Sequence, residues 1–331
     1  MNSTKCPVCH SVDVKLLFSL DSKITADLLF PAESTKASEI KQIIDKIWQT
    51  NQSYFYKCNK CYFVYAEPFI SGSTEFYSLL YYSNFEYPIQ KWEYSKTIEM
   101  LKSLIRTKDF KVLEIGAGNG TFISQLIDYK IVAKENIYAT EYSNAAISAI
   151  KSKGVFCTNS NIYDLKNQKK LPLFDMIFMF QVLEHLDNID AVFNTLNSIS
   201  ASHASFIFAV PNSKFRNFLD KRGIHYDIPP VHIGKYNLNS FKFIAQKYNW
   251  QVISHAVEPM RYLNKVKKFI FERYWKNKHT IRIEKSNHTI IKHFYRYLFL
   301  AFICLNHFYI IFSLFRRDFG TSFWIHLKKT A

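Results

Sequence analysis

Acidic residues are in short supply in this 331-residue chain, where 27 Asp and Glu stand against 43 Lys and Arg for a formal net charge of +16. Such an excess calls for an anionic partner, and by itself it leaves nucleic acid, a membrane surface and a phosphorylated substrate all open. Cysteine is scarce as well, and its arrangement excludes a disulfide scaffold. Four of the six fall in two Cys-x-x-Cys pairs, while Cys157 and Cys304 stand alone in apolar surroundings. That usage fits a reducing cytoplasm. No cleavable signal is expected, because residues 1–9 are polar and end in a cysteine pair where a signal would lead into a long apolar segment. Also missing is the G-x-G-x-x-G fingerprint of dinucleotide binding, which points away from NAD.

In its place stands Val112-Leu113-Glu114-Ile115-Gly116-Ala117-Gly118-Asn119-Gly120, followed by Phe122, Ile123, Leu126 and Ile127 at helical spacing. The pattern predicts a strand, a tight turn and a helix whose first N–H groups are free to meet a nucleotide-like ligand. A second apolar run ends in the carboxylate of Glu141, about twenty residues on, where an acid can accept both ribose hydroxyls. A third, Phe174–Phe180, runs into Gln181-Val182-Leu183-Glu184-His185-Leu186. These three motifs, in this order and at these intervals, resemble the class I S-adenosylmethionine-dependent methyltransferases. The resemblance implies that Gly116 and Gly118 pass close to the methionine part of the cofactor, that Gly120 completes the loop, that Glu114 helps order it and that Glu141 holds the ribose. It also implies an adenine contact near Asn161 and Ile162, where relatives often carry an Asp; Asp164 is the competing candidate. Gln181 would face the cofactor.

Cys6-Pro7-Val8-Cys9 and Cys58-Asn59-Lys60-Cys61 are two knuckles that together complete a tetrahedral thiolate set with no open position, the signature of a structural zinc site. The 48 residues between them exceed a compact zinc ribbon, so an insertion is required, and Glu39–Trp48 has the periodicity of a helix. Beyond the second knuckle comes a tyrosine-rich stretch, residues 76–87. This order resembles methyltransferases with an N-terminal zinc-binding module, among them sugar C-methyltransferases and other enzymes of glycan and natural-product pathways. The resemblance spans residues 6 to about 255 and is strongest over 111–186. Tyr81, Tyr82 and Tyr87 either close over the cofactor or form a packing seam between domains.

Strands expected near 112–115, 136–140, 154–158, 174–180 and 205–210 alternate with helices. The fold class is therefore α/β: a doubly wound, seven-stranded, Rossmann-like methyltransferase sheet, with a small N-terminal zinc-binding module and a C-terminal apolar helical insert before the last strand. The expected divisions are a zinc-binding module over 1–70, a tyrosine-rich linker and helix over 71–100, the cofactor-binding core over 101–260, a basic and apolar helical arm over 261–317, and the last core strand and tail over 318–331. A helix over 238–248 and a sixth strand over 250–257 close the core. Residues 297–315 form an apolar run just long enough to cross a bilayer. Yet Gly320–Lys328, with Thr321–Leu327 inside it, reads as the seventh strand, antiparallel beside the sixth, and two strands of one sheet lie on one side of a membrane. A single crossing is thereby excluded. The arm, rich in Lys, Phe, Tyr and Trp, then lies in the membrane interface at the inner face, or packs as a buried helix or dimer contact.

Methyl transfer asks the protein mainly to align the acceptor and take its proton. His185 stands at the rim after the fourth core strand, as a base or as part of the turn. His232, in the loop after the fifth strand with His225, Tyr226 and Tyr236 nearby, is a base or an acceptor contact. The function expected is S-adenosylmethionine-dependent methyl transfer to a sugar or lipid-linked glycan, in a cytoplasmic enzyme with structural zinc and peripheral membrane contact. A quinone or other lipophilic acceptor is the alternative enzyme reading. A nucleic-acid-binding protein with a retained cofactor fold is the non-enzymatic one, disfavoured by the intact glycine loop and Glu141.

Overall fold

The computed structural model describes residues 4–80, 90–104, 109–168, 171–260 and 318–330. The arm over 261–317 and Tyr81, Tyr82 and Tyr87 lie outside the described residues. Among the described residues no helix is long and apolar enough to cross a membrane.

The N-terminal part runs β1 (Val14–Asp21), α1 (Ser22–Leu29), α2 (Thr35–Trp48), β2 (Gln52–Cys58), β3 (Val64–Glu67) and α3 (Thr74–Leu80). Asp21 and Ser34 start the two long helices by accepting from Ile24 N and Ala37 N, as short polar side chains do at a helix entry. Helix α2 is the insertion required between the knuckles, one turn longer than its apolar periodicity suggests. It buries Ile40, Ile43, Ile44 and Trp48 against Ala26 and Phe76.

The core continues with α4 (Trp92–Leu104), β4 (Val112–Ile115), α5 (Thr121–Asp128), β5 (Ile137–Thr140), α6 (Asn144–Lys151), β6 (Phe156–Thr158), β7 (Phe174–Phe180), α7 (Ile189–Ser198), β8 (Ser200–Pro211), α8 (Ser213–Asp220), β9 (Gly234–Lys235), α9 (Leu238–Lys247), β10 (Trp250–Val257) and β11 (Ser322–Lys329). Seven of these strands form one sheet in the order β10-β11-β8-β7-β4-β5-β6. Strands β6, β5, β4, β7 and β8 are parallel, and β11 enters antiparallel to β8, pairing Phe323 with Val210 and Leu327 with Phe206. Because β11 also lies beside β10, the expected sixth and seventh strands share a sheet. Buried strands read as unbroken apolar runs, as in Met176–Phe180 and Phe206–Val210, because both faces are covered. Trp324 fills the centre, its indole N–H donating to Thr97 Oγ1 at 2.9 Å.

The second sheet, β1-β2-β3-β9, is antiparallel and joins distant parts of the chain. Its fourth strand comes from the loop that follows β8: Val64 pairs with Lys235 and Tyr65 with Gly234. Ile228 and Ile233 from that loop are buried with Leu20, Phe55, Val64 and Ala66. By compactness the chain divides into Met1–Ser213 with Asp227–Ala256 and Ser322–Ala331, and a smaller unit of Lys214–Tyr226 with Val257–Thr321. Within the smaller unit Phe215 and Phe218 pack on Phe319, and Lys214 pairs with Asp318 at 3.1 Å.

One buried group makes the core sensitive to acid. His326 is 6% exposed, its Nε2 lies 3.0 Å from Ser205 Oγ, and burial, with Lys328 adding to it, pushes its pKa down to about 4. The unfolded chain binds that proton near pH 6.5, so the stability tied to neutral His326 is complete above about pH 6.5 and drains away as the pH falls toward 4. Between pH 7 and 5 the parent is expected to lose about 2 kcal/mol more than His326→Gln, read from urea midpoints at the two pH values. Equal losses in the two proteins would remove His326 from the account.

Candidate functional site

The sheet order reverses between β4 and its neighbours β5 and β7, and the loops leaving these strands part there to open a cleft. Its walls are Ile115, Gly116, Thr140, Glu141, Tyr142, Ser160, Ile162, Val182 and Leu186. Gly116, Gly118 and Gly120 all take positive φ, at 72°, 54° and 74°. A Cβ on Gly116 would stand 2.6 Å from Val182 Cγ2, so the residue is glycine for space as well as for conformation. Gly116 N and Ala117 N both donate to Thr140 O at 3.0 Å, which ties the loop to the end of β5. Gly120 then starts α5, whose first N–H groups point out of the loop.

Glu141 has a second task beside the one the resemblance implies. Its Oε2 accepts from Gly118 N at 2.7 Å, and its Oε1 from Tyr142 N at 2.8 Å and Ser143 N at 3.3 Å. The carboxylate thus pins the glycine loop and still presents a lone pair to the cleft. Glu114 is 2% exposed, and burial raises its pKa well above the ordinary carboxylate range. Its Oε2 has no hydrogen-bond partner among the described residues, one residue before the cleft wall. Ile162 lines the cleft, whereas Asn161 caps the following turn by accepting from Tyr163 N. Gln181 follows β7. Its Nε2 donates to Glu93 Oε1 and to Ser322 Oγ, both at 3.2 Å, so its side chain holds α4 and β11 together and is not among the cleft walls.

Val182 and Leu186 carry the cleft into a second group of residues. Glu184 is 1% exposed and neither carboxylate oxygen has a hydrogen-bond partner among the described residues; burial, eased by His232 nearby, raises its pKa to about 7. The Glu184 carbonyl accepts from Ile233 N at 2.9 Å, which draws the loop after β8 against the turn at Leu183–His185. His185 and His232 meet edge to face with ring centroids 4.6 Å apart. His185 Nδ1 lies 2.6 Å from Val231 O and 3.5 Å from Tyr77 Oη. Burial pushes its pKa down to about 3, with His232 adding to this and the carbonyls of Val231 and Gln181 acting against it. His232 Nδ1 is 2.8 Å from Oδ1 of Asp227, which is 3% exposed. The two candidate histidines are brought together, and His225 instead pairs with Asp220 in the smaller unit.

Asp227 and Tyr77 were not singled out from the sequence. A carboxylate five residues before a loop histidine was a usable signal for Asp227; nothing local distinguishes Tyr77 from its tyrosine-rich neighbours. Asp187, which accepts from Ser71 N, Ser71 Oγ and Tyr163 Oη, is a third omission, and it fastens the N-terminal segment to the rim.

Away from the cleft the four knuckle cysteines converge. Their sulfurs all lie within 4.8 Å of one another, with Cys6 to Cys61 at 3.5 Å and Cys9 to Cys58 at 3.4 Å. Zinc–sulfur bonds of about 2.3 Å place tetrahedral sulfurs about 3.8 Å apart, so the set is close to the spacing that zinc requires.

The family model described as a methyltransferase domain matches residues 89–255, half of the chain. No curated protein matches. Among solved structures, a SAM-dependent methyltransferase from Archaeoglobus fulgidus is 17% identical, with a TM-score of 0.45 over 71% of this chain and 94% of that one. Magnesium protoporphyrin IX methyltransferase from Synechocystis PCC 6803 with bound SAH is 11% identical, with a TM-score of 0.43 over 75% and 90%. The N-methyltransferase NodS from Bradyrhizobium japonicum WM9 in complex with SAH is 10% identical, with a TM-score of 0.42 over 74% and 90%.

Proposed function

The chain belongs to the methyltransferase-domain family, and from that premise we propose that it transfers a methyl group from S-adenosylmethionine, held in the β4–β5–β7 cleft, to a sugar or lipid-linked glycan presented at the His185–His232 rim. The observation that carries the reading is the glycine loop pinned by Glu141. Two features of the cleft fit the cofactor. Glu141 keeps acceptor capacity for the ribose hydroxyls, and the partnerless Glu114 Oε2 beneath the loop suits a ligand that brings a cation and N–H donors. Gly116, Gly118 and Gly120 would hold the methionine part and Ile162 the adenine, with Asn161 at its edge. When bound, the cofactor supplies a methyl already activated on a sulfonium, so the chain's task is alignment and handling of the acceptor's proton.

His185 and His232 are the acceptor-activating pair in this reading, with Asp227 fixing the His232 ring. The Cys6, Cys9, Cys58 and Cys61 set holds structural zinc, and the basic, aromatic arm over 261–317 supplies peripheral contact with the inner membrane face or with a second copy. The glycan acceptor is favoured over a quinone by the order of knuckles, tyrosine-rich segment and cofactor core along the chain.

Calorimetry on Glu141→Ala tests the cleft. Loss of the carboxylate removes the ribose partner and the Gly118 tether together, and a deleted charged hydrogen bond is worth about 1.5–3 kcal/mol. S-adenosylmethionine is expected to bind roughly ten- to a hundredfold more weakly. Unchanged affinity would show that the cofactor binds elsewhere.

A further inference from the structure

One ligand-capable atom from each of Glu184, His185 and His232 lies within 4.8 Å of the others. The hydrogen bonds decide what each offers. The Val231 carbonyl at 2.6 Å fixes the His185 proton on Nδ1, and the Asp227 carboxylate at 2.8 Å does the same for His232. Nε2 is then the nitrogen that each ring has left to offer a ligand. Glu184 adds two further oxygens that nothing among the described residues satisfies, at 1% exposure. Lone pairs gathered around a carboxyl this deeply buried are unfavourable unless a proton or a cation meets them.

From this juxtaposition we propose that Glu184, His185 and His232 form a second metal centre, distinct from the four-cysteine set, which binds a divalent transition-metal ion and leaves coordination positions open toward the acceptor. Two imidazoles and one carboxylate are the donor set of open, catalytic zinc and non-haem iron sites, unlike the closed four-sulfur set. The surroundings support it independently. Metal-binding histidines donate the ring N–H they do not use to a backbone carbonyl or a carboxylate, and here one does each. Three donors held tetrahedrally about one ion with bonds of about 2.0–2.2 Å lie about 3.4 Å from each other. The present donor atoms lie within 4.8 Å of one another, so binding draws them together by up to about 1.4 Å. His232, whose side chain is 20% exposed, marks the side from which the ion and an acceptor oxygen enter.

The proposal deepens the methyltransferase reading by giving the histidine pair its means of holding the acceptor, and its test is independent of turnover. Full-length protein carrying its first equivalent of zinc is titrated with Co2+ and followed by visible absorption and by calorimetry. A second equivalent is expected to bind with weak d–d absorption and without the strong near-ultraviolet band of a cobalt thiolate. Glu184→Gln is expected to weaken that second equivalent roughly a hundredfold or more, while S-adenosylmethionine still binds. Should Glu184→Gln fail to fold, His232→Ala, at the more exposed position, carries the same expectation. Absence of a second equivalent in the parent, or its survival in the folded variants, overturns the metal centre. Failure of cofactor binding in the parent would instead overturn the reading beneath it.

Discussion

Gly116→Ala is expected to abolish cofactor binding and to destabilise the core by about 2–4 kcal/mol, the sum of a left-handed backbone conformation forced on an L-residue and an overpacked methyl. The methyl would meet Val182 Cγ2 at 2.6 Å, and Val182 is itself a wall of the cleft. The two causes separate experimentally. Val182→Ala in the Gly116→Ala background removes the clash and leaves the strain of φ 72°, so denaturant midpoints should recover by part of the loss and no more. Cofactor affinity, read by calorimetry, should stay at least roughly a hundredfold below the parent. A Gly116→Ala protein with parental stability and affinity would show that the loop can rearrange freely and that the glycine is incidental.

Replacing Cys58 and Cys61 by serine, or removing zinc with a chelator, is expected to have consequences that reach the rim. Structural zinc binds with about 10–16 kcal/mol in small modules, more than most domains hold in total stability. Cys58 ends β2, its N–H donates to Phe63 O, and Cys61 N approaches Cys58 Sγ at 3.5 Å, so a metal bound there would close the turn that aligns β3. β3 in turn pairs with β9, and Ala66 N donates to Ile233 O at 2.9 Å, one residue from His232. Loss of zinc should therefore lower the melting temperature by more than about 10 °C and reduce kcat, with little change in cofactor affinity. Zinc still present at one equivalent after all four cysteines become serine would refute the site. An unchanged kcat after zinc loss would show that the loop keeps its place without the knuckles.

What the sequence disclosed well was carried by neighbouring residues. The glycine loop, the carboxylate after β5 and the alternation of apolar runs each sit within a dozen positions, and short-range spacing is what backbone conformation imposes on a sequence. The sixth and seventh strands were legible for the same reason, since Trp250–Val257 and Ser322–Lys329 each carry the pattern of a strand. What escaped depended on partners far along the chain. Gln181 follows a strand whose loop borders the cleft, and its side chain bonds Glu93 and Ser322, 88 and 141 positions distant, which no local pattern announces. Strand β9 is two residues long, too short for any periodicity. The fusion of the cysteine module with the His232 loop followed from those two residues and from Ile228 and Ile233, which read locally as parts of an ordinary connection.

The place of β11 in the sheet also orders events in time. β10 has β11 as its sheet neighbour, and β11 separates it from β8. A ribosome releases β10 first and reaches Ser322 only after residues 258–321, an interval of roughly 3–13 s at ordinary rates of synthesis. Through that interval the free edge of β8, apolar from Phe206 to Val210, and the whole of β10 carry unpaired backbone groups. A nascent chain with two open strand edges is a template for pairing with another nascent chain, so the yield of native enzyme in a cell is governed by what shields those edges until the final strand slides between them.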